Sequence, residues 1–199
     1  IVVGSAYDTF IQRTRDMVNS LRVGESNDPV FDVNAVIDEE AYNKCMDYIA
    51  IGDKDGKRLA QATVPKGGHF VPPTVFTDLP LDSRLTKEEV FGPVLAIYKA
   101  ETIEEAVEMA MDNPYKLTGG LFSRNPKTIE YVRDNFRVGN LYINRGTTGA
   151  LVGRQPFGGG GLSGTGTKAG GPDYLLNFLE ARVVTENTMR RGYAPKEDV

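Results

Sequence analysis

The stretch LAIYKAETIEEAVEMAMDNPYKLTGGLFS, residues 95–123, sets a short apolar run, an amphipathic segment and a second short apolar run in succession. LAIY (95–98) and GGLFS (119–123) have the length and apolar character of strands. Between them the Thr102 hydroxyl can cap a helix while Glu105 reaches back from three positions on. Ile103, Ala106, Val107, Ala110 and Met111 then share one face of that helix. Such alternation of strand and helix argues for a largely parallel sheet, because parallel strands need crossover connections.

The same alternation continues on both sides. Asn125-Pro126 opens another helix, since proline suits the first helical position, and NLYIN (140–144) supplies the next strand. Upstream, Asp38 is the expected N-cap of a helix whose face is Ala41, Cys45, Tyr48 and Ile49, with Gly52 as its stop. Nearer the start, Tyr7, Phe10, Ile11, Thr14, Met17, Val18 and Leu21 recur at helical spacing over 6–21, after the apolar run Ile1 to Val3. The expected architecture is α/β, a largely parallel sheet with flanking helices. ARVVTENTMRR (181–191) alternates apolar and polar residues and reads as an exposed edge strand that pairs with something, followed by a loose tail.

Bulk properties narrow the function. With 27 acidic against 23 basic residues, a net charge of -4 and no long basic run, the chain offers no footprint for nucleic acid or an anionic membrane. One cysteine rules out an internal disulfide, and Cys45 with the one histidine, His69, is too few ligands for a zinc site. A reducing, cytoplasmic home is expected. The start IVVGSAYDTF has neither an initiator Met nor the layout of a signal peptide, and is expected to be a cut rather than native start. Cys45 lies on an apolar helix face with no neighbouring histidine, so core packing is favoured over nucleophilic catalysis. His69, in the Gly/Pro-rich loop GGHFVPPTVF, is expected to pack or face solvent.

Two segments compete for a ligand. RQPFGGGGLSGTGTKAGG (154–171) holds eight glycines, but it follows a loop rather than a strand, and Gly164, Gly166 and Gly170 miss the dinucleotide-binding spacing. Gly52 to Lys57 is likewise one residue short of a Walker A loop, and Arg58 replaces its Ser/Thr. Such glycine density instead signals positive φ and close backbone approaches. KEEVFGPV (87–94) places two carboxylates and an aromatic before a Gly-Pro break. Composition alone favours a helix end with solvated glutamates; the sharper reading has the turn hold Phe91 and one Glu at the carboxyl edge of a sheet, where α/β folds bind ligands.

EEVFGPV (88–94) resembles the E-E-x-F-G-P-V signature of the aldehyde dehydrogenase superfamily. GGHFVPPTVF (67–76), NPYKLTGGLFS (113–123), VGNLYINRGTTGALVGRQPFGGGGLSGTGTKAGG (138–171) and LEARVVTENTMRR (179–191) are similar to further segments of that family, in the same order. NRGTTGALVGRQPFGG resembles most the members that oxidise glutamate γ-semialdehyde to glutamate with NAD. The resemblance implies that Glu89 binds the nicotinamide ribose and that Phe91 lines the nicotinamide site. It also implies that Gly149 and Ala150 offer N–H groups to the substrate α-carboxylate, and that Phe157 walls the aldehyde chain. By the same resemblance no catalytic residue lies in this chain, because the family's nucleophilic cysteine, general base and dinucleotide-binding domain precede it. Residues 1–180 would belong to the catalytic domain and 181–199 to an oligomerisation strand and tail, with the upstream half of the enzyme and further copies as partners. Two other readings stand beside this one: a related aldehyde dehydrogenase of different substrate, and a non-catalytic assembly module.

Overall fold

A computed structural model describes residues 1–188. In chain order the elements are β1 (Val2–Val3), α1 (Ala6–Ser20), α2 (Glu39–Asp55), β2 (Lys57–Gln61), β3 (Thr74–Thr77), α3 (Arg84–Lys87), β4 (Val94–Ala96) and β5 (Lys99–Ala100). There follow α4 (Ile103–Met111), β6 (Tyr115–Lys116), β7 (Thr118–Leu121), α5 (Pro126–Asn135), β8 (Asn140–Ile143), β9 (Gly160–Gly161) and a 3₁₀ turn at Tyr174–Phe178. The fold is α/β, as expected. Parallel pairing joins β1 to β5, β3 to β4 and β7 to β8, whereas β2–β3 and β6–β9 are antiparallel. The strands fall into small sheets of two or three rather than one continuous sheet.

Capping fixes the helix starts where the sequence places them. The Asp38 side chain accepts from Ala41 N–H (2.8 Å), Thr102 from Glu105 N–H (3.2 Å) and Asn125 from Lys127 N–H (3.0 Å). Each satisfies an N–H group that the first turn leaves open. Glu105 reaches back to Glu101 N–H (2.7 Å), one residue before the cap.

Gly52 does not stop α2, which runs on to Asp55 with Gly56 as its C-cap. A Cβ at Gly52 would lie 2.6 Å from the Phe76 ring, so the glycine is a packing site. Phe76 is fully buried, and around it gather Cys45, Tyr48, Ile49, Val71, Leu79 and Leu85. A second core collects Val18, Val23, Ala60, Ala62, Val75 and Ile97. β3 lies between the two, giving Phe76 to the first and Val75 to the second, as alternation along a strand requires. Its buried Thr74 hydroxyl donates to Pro72 O (2.7 Å) and accepts from the Gln61 amide (2.9 Å).

Two further expectations change. The apolar stripe of α1 is narrower than its sequence suggests: Val18 is buried and Tyr7 and Ile11 pack on the second core, but Phe10 and Met17 face solvent. Residues 181–188 form no strand, because a strand exists only where its backbone groups find a neighbour to pair with. The rest of the expected edge strand, 189–191, and the tail lie outside the described residues.

Candidate functional site

The turn that follows α3 is built to hold its two glutamates differently. Glu88 caps the C-terminus of α3 and receives both arms of the Arg84 guanidinium, at 2.9 and 2.8 Å. The buried Tyr48 hydroxyl donates to the same carboxylate in a short hydrogen bond. Arg84 and Tyr48 together hold the Glu88 carboxyl at about 2, well below its ordinary value. Glu88 is thus committed to structure. Glu89 is exposed, and its carboxylate makes no hydrogen bond or ion pair among the described residues. Of the adjacent pair, only Glu89 has its acceptors free for a ligand.

Phe91, two residues on, has φ +59°, a conformation that a bulky side chain rarely adopts. Its ring is 82% exposed. Strained backbone and a solvated aromatic persist only where the surroundings impose them. Here Gly92 seats against α2, where an added Cβ would be 2.3 Å from Cys45 Sγ. Val94 N–H bonds to Gly92 O (2.8 Å) and Thr74 N–H to Pro93 O (2.9 Å), which locks the turn to β3. The Lys44 ammonium donates to Glu89 O at 3.0 Å.

Cys45 is 1% exposed, and burial pushes its thiol above the ordinary range, the reverse of what a nucleophile needs. His69 is a packing residue: its carbonyl accepts from Val36 N–H (2.9 Å) and its ring lies tilted against Tyr42.

Three amides of the glycine stretch are engaged by the protein. Gly158 N–H bonds to Asn140 Oδ1 (3.2 Å), Gly166 N–H to Gly159 O (3.0 Å) and Gly171 N–H to Lys168 O (3.1 Å). A phosphate cradle needs those donors free. The glycines serve close approach instead: a Cβ at Gly139 would fall 2.0 Å from Gly158 O, and one at Gly161 2.5 Å from Pro114 O. Phe157, partly exposed, exchanges two backbone hydrogen bonds with Ala169 (2.9 and 2.8 Å), which fixes the ring at the edge of this loop.

Gly149 and Ala150 lie upstream of that stretch. Gly149 has φ +77°, and neither its N–H nor that of Ala150 meets an acceptor among the described residues. Gln155, its amide oriented to suit both neighbours, donates to Gly149 O (3.3 Å) and accepts from the Arg145 guanidinium. Arg145 in turn lies over the Tyr142 ring at 5.2 Å. Gly149, Ala150 and Phe157 therefore belong to one loop system, laced by Gln155 and by Gly153 N–H to Gly170 O (2.9 Å). No hydrogen bond joins it directly to the Glu89 turn among the described residues. Residues 112–116 link the two, through Lys87 to the Asp112 carboxylate (2.7 Å) and Lys116 N–H to Ser163 Oγ (3.0 Å).

Sequence reasoning missed the roles of Lys44, Tyr48 and Arg84 in the turn, though Tyr48 is buried on the helix face where it is expected. The first two are one helical turn apart and share a face, which is legible, but what that face grips lies 40 residues or more along the chain. Asn140, which bonds both Pro156 O and Gly158 N–H, carries no signal in the sequence beyond its place in a strand.

A sequence profile of the aldehyde dehydrogenase family matches residues 1–184. The 1-pyrroline-5-carboxylate dehydrogenase of Geobacillus sp. strain WCH70 is 46% identical over 94% of this chain, which covers 36% of that protein. The chain thus spans little more than a third of such relatives. A solved structure of proline utilization A from Bdellovibrio bacteriovorus, inactivated by N-propargylglycine, superposes with a TM-score of 0.89 at 45% identity, over 98% of this chain and 20% of that one. The 1-pyrroline-5-carboxylate dehydrogenase from Thermus with bound NAD superposes with a TM-score of 0.83 at 44% identity, over 88% of this chain and 34% of that one. With its EEVFGPV turn and glycine loop in this setting, the chain belongs to the aldehyde dehydrogenase family.

Proposed function

We propose that this chain is the C-terminal portion of an NAD-dependent enzyme that oxidises L-glutamate γ-semialdehyde to glutamate. The observation that carries the substrate is the pair of adjacent N–H donors at Gly149 and Ala150 without acceptors among the described residues. Two backbone donors beside almost no side-chain bulk suit a carboxylate, and the amino-acid carboxylate distinguishes this aldehyde from simple ones. Phe157, at the rim of the same loop system, walls the aliphatic chain between carboxylate and aldehyde.

Glu89 and Phe91 fit a dinucleotide. The carboxylate of Glu89, unpartnered among the described residues, accepts from ribose hydroxyls, and the exposed Phe91 ring offers an apolar face to a nicotinamide. NAD, when bound, takes up the hydride released from the aldehyde carbon. Glu88, already neutralised by Arg84, leaves that site with one free carboxylate rather than two. The nucleophile is not Cys45, whose buried thiol is held protonated, so it comes from outside these 199 residues and the chain alone is inactive.

Residues 1–180 form the later part of the catalytic domain, and 181–199 an assembly segment. Leu175, Leu176, Phe178, Leu179, Val183 and Val184 are all exposed in the single chain, which supports burial against another copy or against the upstream half. The same row favours, as a second reading, a non-catalytic assembly module. No helix among the described residues is long and apolar enough to cross a membrane, and a cytoplasmic setting agrees with the one unpaired cysteine.

The deciding experiment places Ala150→Leu in the full-length enzyme. It should lower kcat/KM for glutamate semialdehyde far more than for an aliphatic aldehyde of similar length. Equal losses on both would remove the carboxylate role, and absence of NAD-linked oxidation in the unmodified full-length protein would favour the assembly module.

A further inference from the structure

One face of α2 grips the whole cofactor turn. Lys44, Cys45 and Tyr48 follow one another within a single helical turn, and each meets a different residue of 88–92. Tyr48 donates to the Glu88 carboxylate, Lys44 donates to Glu89 O, and Cys45 Sγ lies under Gly92. Arg84, from α3, closes the arrangement by binding Glu88 and standing over the Tyr48 ring at 5.5 Å. The Lys44 ammonium lies 6.0 Å from the centre of the same ring.

The three grips are not equivalent. Tyr48 and Cys45 are buried members of the first core, so their contacts follow from folding itself. Lys44 is exposed, and core packing does not require its ammonium to point at the turn. Holding a four-carbon side chain in one rotamer costs conformational freedom. What it holds is the carbonyl of Glu89, whose carboxylate is unengaged among the described residues, two residues before a backbone at φ +59°.

We infer that Lys44 is a positioning residue for the cofactor: by fixing Glu89 O it sets the direction in which the Glu89 carboxylate meets the ribose of NAD. This rests on the function proposed above for Glu89. Lys44 does not touch the reacting atoms and acts through Glu89, so its removal weakens the cofactor grip and leaves the aldehyde end unchanged.

The test uses the full-length enzyme with Lys44→Met, Lys44→Arg, Glu89→Ala and the double variant Lys44→Met/Glu89→Ala. NAD binding is measured by calorimetry, steady-state constants with glutamate semialdehyde, and Tm by scanning calorimetry. Lys44→Met should raise Kd and KM for NAD about threefold to tenfold, the lower range for a charge-assisted bond at an exposed site. KM for the aldehyde and Tm should stay as in the unmodified enzyme, and Lys44→Arg should retain most of the affinity. In the Glu89→Ala background Lys44→Met should have little further effect, because its route to the cofactor is gone. An unchanged Kd for NAD in Lys44→Met overturns the inference, as does a full additional loss in the double variant or a fall in Tm that accompanies equal losses for both substrates. An unmodified enzyme that binds NAD but spares glutamate semialdehyde removes the proposed substrate, while the Lys44 comparison remains decisive by calorimetry. One that binds no NAD overturns both.

Discussion

Replacing Gly92 with alanine puts a methyl group where the structure has none to spare. The added Cβ falls 2.3 Å from Cys45 Sγ, against the roughly 3.5–4.0 Å at which such heavy atoms rest, so the gap must open by more than an ångström. Gly92 is not in the left-handed region, so alanine suits its backbone and the cost is steric alone. Cys45 cannot swing outward, being 1% exposed and enclosed by Tyr48, Ile49, Val71 and Phe76. Overpacking of this kind costs about 1–3 kcal/mol. Because Lys44 and the β3 hydrogen bonds hold the turn on either side, the strain should move Phe91 and Glu89 as well. The assay is a double-mutant cycle in the full-length enzyme, with Gly92→Ala, Cys45→Ala and both together, followed by urea unfolding and by KM for NAD. Cys45→Ala leaves a small cavity that the new methyl fills, so the double variant should be more stable than the sum of the singles by about 1–2 kcal/mol. It should also recover NAD affinity. Additivity within about 0.5 kcal/mol would refute the contact and with it the seating of the turn on α2.

Three further outcomes are expected. The Glu88 carboxyl is depressed from 4.5 to about 2, so its contribution to stability is complete above the ordinary carboxylate range and is lost as pH falls toward 2. Glu88→Gln should therefore flatten the acid side of the stability profile between about pH 4.5 and 2, followed by circular dichroism; an unchanged profile would show the Arg84–Glu88–Tyr48 cluster to be without effect. Gly139→Ala drives a methyl to 2.0 Å from a backbone oxygen, where no side chain can yield, so it should cost about 3 kcal/mol or more and reduce soluble yield of the full-length enzyme. Glu89→Ala should slow single-turnover hydride transfer even at saturating NAD, since a charge-assisted hydrogen bond contributes about 1.5–3 kcal/mol. An unaltered transfer rate would remove the ribose role.

The helices were legible because their signals are local. Asp38, Thr102 and Asn125 each announce a helix within three residues of the N–H they cap. Gly52 misled for the same reason: the rule that glycine ends helices is local, whereas its neighbour Phe76 is a strand and a loop away. β2, whose sequence is KRLAQ, has no β-branched or aromatic residue and is a strand only because β3 pairs with it. The edge strand expected from 181 onward shows the converse, strand-like alternation with no partner to pair with through 188. In the site, the Gly-Pro break made the Phe91 turn visible, but nothing near Lys44 tells that its ammonium belongs to Glu89 O. Which of the two glutamates is free was equally invisible, because Arg84 and Tyr48 decide it from two different helices.

Glycine-rich chain is unusually free before it folds, and each glycine costs roughly 0.5–1 kcal/mol more to order than an alanine would. The contacts that hold 158–171 reach far back: Leu162 N–H to Pro114 O, Lys116 N–H to Ser163 Oγ, and Asn140 to both Pro156 and Gly158. Closures so distant in sequence carry a loop-entropy cost that the local contacts of a helix do not. The loop beside Gly149 and Ala150 is thus among the last parts to condense and among the first to open, while α2 and the turn it grips stay shut. Hydrogen exchange should find the Gly158, Gly166 and Gly171 amides bonded yet weakly protected. The free energy of that local opening then sets how often the carboxylate-binding wall is in place, so substrate affinity would rise with any change that closes the loop without touching the ligand.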